Sequence, residues 1–244
     1  EDSYVAELKA VLLAGIPRVA LVDNTHLVPA YDVEWGAFQL LRSYYRFPPR
    51  SLHMAVVDPG VGSRRKALFV KVGPYDFVGP DNGLLVWAIR DAEKRVGKQA
   101  QIFEILPEGE HLPTFHARDL FAPFVVAYLK GKHPKTKALD RIEGKEFPTC
   151  HELDGRKIGR IIGPDRFGNI VTSVPIGNDL KAEAHITGRE NYLSSVESYA
   201  AIEEGKAALV RGSHGFWEIA CRERSAWSLL NLHKGDHVTI FPKG

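Results

Sequence analysis

Residues 52–65 read Leu-His-Met-Ala-Val-Val-Asp-Pro-Gly-Val-Gly-Ser-Arg-Arg. An apolar run from Leu52 to Val57 ends in a Pro-Gly turn, with a carboxylate at its start and a guanidinium seven residues on, at Arg65. A short continuous apolar run of this kind reads as a buried strand. Working outward, further strands are expected at Val19–Val22, Leu68–Val72, Phe77–Val78 and Ile102–Ile105. Helices are expected after Ser3 (a cap), after Asp32, at Leu84–Arg95 and at Leu120–Lys130, each with apolar residues at helical spacing. Gly15 with Pro17, and Pro48 with Pro49, close the first two helices. Strands alternating with helices predict an α/β domain with a largely parallel sheet covered on both faces. Ligands bind beyond the carboxyl ends of strands in such sheets. The polar clusters Asp23–His26 and Asp58–Arg65 fall at such ends.

The texture changes after Lys130. Gly131–His151 is rich in Lys, Pro and Gly and reads as a linker. Beyond about Arg156 the segments are short, β-rich and punctuated by Gly, Asn and Asp, as in a small all-β barrel or sandwich. Two domains are expected, 1–148 and 149–244.

Composition bounds the function. The 244 residues are 44% apolar, and 32 Lys+Arg against 30 Asp+Glu give a formal charge of +2. That balance argues against a nucleic-acid binder driven by a basic field, and the apolar content argues against disorder. Two cysteines cannot make a disulfide framework. No apolar run approaches the ~18 residues of a membrane span, and no signal-peptide pattern is present. A cytoplasmic location away from membranes is the expectation.

Five constellations can carry chemistry. Asp58–Arg65 combines a carboxylate, glycines that admit close ligand approach, and Arg65; it also reads as an Asp-capped turn with two solvated arginines. Phosphate cradling is disfavoured because GxxxxGK[ST] is absent. Pro113–Asp119 places His116 at a helix entrance, as an acid/base group or a packing residue. Gly79–Leu84, Pro164–Asn169 and Arg211–Phe216 each read as turns. No metal site is expected: His26, Asp58 and His116 lack HxxxH or CxxC spacing. No GxSxG hydrolase signature is present.

In this order the motifs resemble one family, the SAM hydroxide adenosyltransferases, which hydrolyse S-adenosyl-L-methionine to adenosine and are related to fluorinating and chlorinating enzymes. The matching stretches are DSYVAELKA (2–10), VDNTH (22–26), VDPGVGSRR (57–65), GPDNGLL (79–85), TFHARDLFAP (114–123), DRFGN (165–169) and the region 211–226. The resemblance implies an N-terminal α/β domain, a C-terminal β-barrel, and a homotrimer with sites between subunits. It places the water-activating set on Asp58, Arg65 and His116. It implies that Asp165 holds the methionine ammonium and Ser213 the methionine carboxylate. It puts Phe167, Asn169, Arg224 and the backbone of Ala226 at the adenine, and Tyr31 over the ribose, where an aromatic face would also attract the sulfonium. The products would be adenosine and L-methionine, with no cofactor.

The sequence departs from the family pattern in three places. Ala117 stands where the family's FHGRD has Gly, and Asn24 alters the D-I-T-H stretch. The family's first strand and its T-D-F-G motif, whose Asp is expected on the ribose hydroxyls, would fall before Glu1. That start reads as a missing opening strand. Two other functions remain open. A halogenase would bring a halide to Asp58, whose charge repels it. Fluorinating relatives carry Tyr and Ser where this chain has Asp58 and His116, and an extra loop for which Arg65–Pro80 leaves no room. A non-catalytic sensor of S-adenosylmethionine or adenosine would not need Asp58, Arg65 and His116 together.

Overall fold

A computed structural model describes residues 2–109, 112–177, 181–188 and 192–243, with the side chains of 242 and 243 excepted. Glu1, where the missing strand was expected to join, lies outside them. The chain divides into two compact units, residues 1–146 and 147–244.

In the first unit Ala67–Val72 (β2) is buried along nearly its whole length, as befits its ALFVKV sequence. A strand covered on both faces reads as a continuous apolar run. Around it are Leu52–Met54 (β1), Tyr75–Pro80 (β3), Gln101–Ile105 (β4) and Thr136–Leu139 (β5). Among the described residues they form one sheet in the order β1-β3-β2-β4-β5. Helices Tyr4–Gly15 (α1) and Ala122–Leu129 (α4) cover one face, where Leu12, Phe121, Phe124 and Val125 pack on Ala67 and Phe69. Val86–Val96 (α3) packs on β2 from the other face and carries Val33–Leu41 (α2) against it. Asp32 caps α2, its Oδ1 accepting from the Trp35 N–H at 3.0 Å.

The α/β class holds, but the sheet is mixed rather than largely parallel. Only β1 and β3 run parallel; β3, β2, β4 and β5 pair antiparallel. The physical reason is connection length. Val72 pairs with Tyr75 across Gly73-Pro74, a two-residue hairpin loop with Gly73 at φ +57°. A parallel crossover needs a dozen residues or more.

Three further expectations change. Val19–Val22 is not a strand, and Val22 is 69% exposed; no described strand pairs with it, and an unpaired run has no ladder partner for its backbone groups. Ser3 does not cap α1: its backbone is helical and its Oγ donates to Glu7 Oε1 at 2.6 Å. The linker read at 131–151 contains β5, and its continuation is tied down by Glu143 N–H to Asp81 Oδ1 and by Trp87 Nε1–H to the Lys145 carbonyl.

One packing feature has a pH signature. His53 on β1 sits among Tyr44, Phe47 and Phe77, and its Nε2 is buried without a hydrogen-bond partner among the described residues. Burial depresses its pKa to about 4. The unfolded chain therefore binds this proton at a higher pH than the folded one. The folded state is favoured fully above the ordinary histidine value, and the stabilisation is lost as pH falls from about 6.5 towards 4. His53→Phe is expected to flatten that acid limb and raise stability at pH 5, measured by urea unfolding from pH 4 to 8; an unchanged pH profile would contradict this reading of His53.

The second unit contains His151–Leu153 (β6), Arg156–Pro164 (β7), Ile170–Pro175 (β8), Lys181–Ile186 (β9), Tyr192–Val196 (β10), Ala207–Arg211 (β11), Phe216–Cys221 (β12) and His237–Lys243 (β13). Their order is β13-β9-β10-β11-β12-β8-β7-β6, and β13 also pairs with β7. That last pairing closes a seven-strand barrel and leaves β6 outside it, the barrel expected from the sequence. Closure removes sheet edges and buries Trp217, Ile161, Ile170, Leu209, Ile219 and Val238 in one core. The helix Ala226–Leu230 (α5) follows β12.

Candidate active site

In the first unit the loop after β1 turns back on itself. Val61 N–H donates to Asp58 O and Ser63 N–H to Gly60 O. This brings Arg65 beside Asp58: Nε donates to Oδ1 at 2.9 Å, and Nη2 donates to Oδ2. The pair is a fork-to-fork contact, the strongest geometry for guanidinium and carboxylate. Both side chains are more than nine-tenths buried. The solvated-turn alternative therefore fails for Arg65.

His116 joins this pair from 51 residues away, with Arg65 Nη2 2.9 Å from its Nδ1. A glycine permits the approach. Gly62 has φ +79°, and a Cβ there would lie 3.0 Å from the Pro113 carbonyl oxygen. Loop 58–65 thus lies directly against the segment leading to His116. His116 is 8% exposed and precedes a π-helical turn, Ala117–Phe121; such turns recur at functional sites. Ala117 is helical, without positive φ, so the family's Gly is not needed there for backbone reasons. The neighbouring Arg118 and Asp119 form an ion pair, which Glu7 joins.

The contacts assign a proton. Arg65 has only donors, so Nδ1 of His116 accepts, and a neutral His116 carries its proton on Nε2. The Asp58 oxygens each keep lone-pair capacity beyond the bond to Arg65.

Tyr31 stands in the turn just before α2. It is 79% exposed, with φ +68°, a left-handed backbone that costs a non-glycine residue about 1–2 kcal/mol. Among the described residues no hydrogen bond or ring contact joins it to Asp58, Arg65 or His116.

In the second unit the expected residues lie in separate loops, of which the first joins Asp165, Phe167 and Asn169. Asp165 organises the first: Oδ1 accepts from the N–H groups of Phe167 and Asn169, and Oδ2 from Asn169 Nδ2 at 3.0 Å. Asn169 is buried and Phe167 is 66% exposed. Gly168, at φ +81°, presses on Ser225, where any Cβ would collide, and its carbonyl accepts from Trp227 N–H. This seats the 165–169 loop against Ser225 and Trp227, on either side of Ala226 in sequence; Ser225 caps α5. The second loop carries exposed Ser213, whose Oγ is 3.0 Å from His214 Nδ1.

Sequence reasoning missed the support of that second loop. Gly212 lies on the buried carboxylate of Glu218, which accepts from Tyr199 OH at 2.9 Å. Burial, then Glu218, pushes the Tyr199 hydroxyl pKa up, with Asp165 adding to the effect. The signal available was a lone Glu in an otherwise apolar strand, Phe216–Cys221. No group of metal-ligating side chains occurs among the described residues, and no described helix is long and apolar enough to cross a membrane.

The order of the motifs agrees with two domain matches. Residues 1–138 match the SAM hydroxide adenosyltransferase N-terminal domain and residues 159–239 its C-terminal domain. The chain belongs to the SAM hydroxide adenosyltransferase family. It is similar to the (R)-S-adenosyl-L-methionine hydrolase of Thermus thermophilus, at 32% identity over 98% of this chain and 95% of that one. The corresponding protein of Methanocaldococcus jannaschii is 30% identical over 98% and 91%. A fluorinase of Nocardia brasiliensis is more distant, at 24% over 98% and 92%. Among solved structures, an uncharacterised conserved protein from Thermotoga maritima superposes with a TM-score of 0.85 at 28% identity, covering 99% of this chain and 96% of that one. Membership of the SAM hydroxide adenosyltransferase family is thus carried across both units.

Proposed function

We propose that this chain hydrolyses S-adenosyl-L-methionine, water attacking C5′ of the ribose to release adenosine, L-methionine and a proton. The observation that carries the reading is the buried Asp58–Arg65 fork with His116 on the same guanidinium. Displacement at C5′ breaks the bond to a sulfonium and expels neutral methionine, so the leaving group needs no acid. The difficulty lies in the nucleophile. Asp58 accepts a proton from the water as its oxygen bonds to C5′. Arg65 aims the carboxylate, and its charge stabilises hydroxide character as it develops. His116, held through Nδ1, orients the water from Nε2 as a donor. Fixing water in line with the carbon–sulfur bond supplies much of the remainder.

The binding roles belong to the same proposal: Tyr31 at the ribose, Asp165 at the ammonium, Ser213 at the carboxylate, and Phe167, Asn169, Arg224 and Ala226 at the adenine. So do a homotrimer with sites shared between subunits, which light scattering of the purified protein tests, and a cytoplasmic location. Neither alternative fits this cluster as well. The Asp58 carboxylate opposes a halide anion. A sensor has no use for a buried ion pair whose desolvation is costly.

The test is product analysis after incubation with S-adenosyl-L-methionine, with and without chloride. Adenosine and methionine in equal amounts are expected in both. A 5′-chlorinated nucleoside would establish the halogenase instead, and unchanged substrate despite measurable binding would establish the sensor.

A further inference from the structure

The turn between β3 and α3, Pro80-Asp81-Asn82-Gly83, has no part in the chemistry above, yet its contacts reach both ends of the Asp58 loop. Asn82 Nδ2 donates to the carbonyl of Val57, the residue before Asp58, at 2.9 Å. Asn82 Oδ1 accepts from Leu84 N–H at 3.2 Å, at the entrance to α3. One residue earlier, Asp81 N–H donates at 2.9 Å to the carbonyl of Lys66, the residue after Arg65. Arg65 Nη1 donates to that same carbonyl at 3.2 Å. Two successive residues thus hold the loop where it begins and where it ends.

The turn is itself backed from behind. Asp81 is 6% exposed, and its Oδ1 accepts from Glu143 N–H at 2.8 Å. Gly83 and Gly144 pack backbone to backbone, which their missing side chains allow. Asn82 therefore ties the glycine-containing loop to the segment entering α3 and to a supported turn. The Val57 carbonyl and the Asp58 N–H share one peptide plane, so holding that carbonyl fixes where the Asp58 side chain begins.

We propose that Asn82 is a positioning residue for Asp58: its amide N–H holds the Val57 peptide, so that the carboxylate meets Arg65 and the attacking water in one orientation. The inference rests on the reading of Asp58 as the water-activating group. Its competitor is a purely structural role, in which Asn82 serves only to shape the turn that leads into α3.

Asn82→Asp separates the two. It keeps an acceptor for Leu84 N–H but loses the donor to the Val57 carbonyl. The expected result is an unfolding temperature close to wild type, KM within about twofold, and kcat lower by roughly a hundredfold, the cost of a small displacement of a reacting group. Asn82→Ala, which loses both bonds, should match that fall in kcat and also unfold at lower temperature. Wild-type kcat in Asn82→Asp, or a loss confined to KM, would overturn the proposal. A readout independent of turnover is hydrogen exchange of the Arg65 Nε–H, which donates to Asp58. It should quicken by about tenfold or more in Asn82→Asp as the fork loosens; unchanged exchange would also overturn the proposal. If the wild-type chain made no adenosine, the hydrolase reading would fail, and the exchange measurement would still decide whether Asn82 positions Asp58.

Discussion

Asp58→Asn is expected to lower kcat by about 10²–10⁴-fold, the range supplied by a positioned general base. The substitution is nearly isosteric, but an amide cannot accept the water's proton. It also turns one acceptor of the fork into an NH2 group facing a guanidinium that has only donors. KM should move much less, because the groups proposed to grip the adenine and the amino acid lie elsewhere in the chain. Steady-state kinetics with adenosine as the measured product, together with thermal unfolding, checks this. A variant within about threefold of wild-type kcat would remove Asp58 from water activation.

Arg65→Leu should be the most damaging substitution for stability as well as activity. It leaves the Asp58 carboxylate buried without its partner, and breaking a buried pair from one side costs about 3–5 kcal/mol. It also removes a donor to the His116 ring. Asp58→Asn in the same chain should recover much of the stability and none of the activity, since it removes the unpaired charge but not the need for a base. Urea unfolding of the two single variants and the double variant measures this. A loss below about 1 kcal/mol in Arg65→Leu would show that the pair behaves as a solvated one.

The sequence reached these residues unevenly, for physical reasons. Asp58 and Arg65 were legible because a strand end, two glycines and seven residues of spacing confine them to one loop. His116 reads as a separate motif; its approach relies on Gly62 leaving room for the Pro113 carbonyl, a contact that local pattern does not encode. Asn82 reads in sequence as a turn residue, which describes its backbone, while its side chain acts on a carbonyl 25 residues away. The α/β-plus-barrel organisation followed from burial patterns that are strong in β2 and in the barrel strands. Strand direction did not follow, although the two residues between β2 and β3 already forbade a crossover. β5 stayed hidden because an exposed edge strand carries no apolar alternation.

In the proposed reaction, solvent water attacks C5′. Turnover in water enriched in oxygen-18 tests it most directly, with both products analysed by mass spectrometry. Adenosine is expected to carry one heavy oxygen at its 5′-hydroxyl and methionine none. Unlabelled adenosine, or label in an amino-acid fragment cleaved on the other side of the sulfonium, would contradict it.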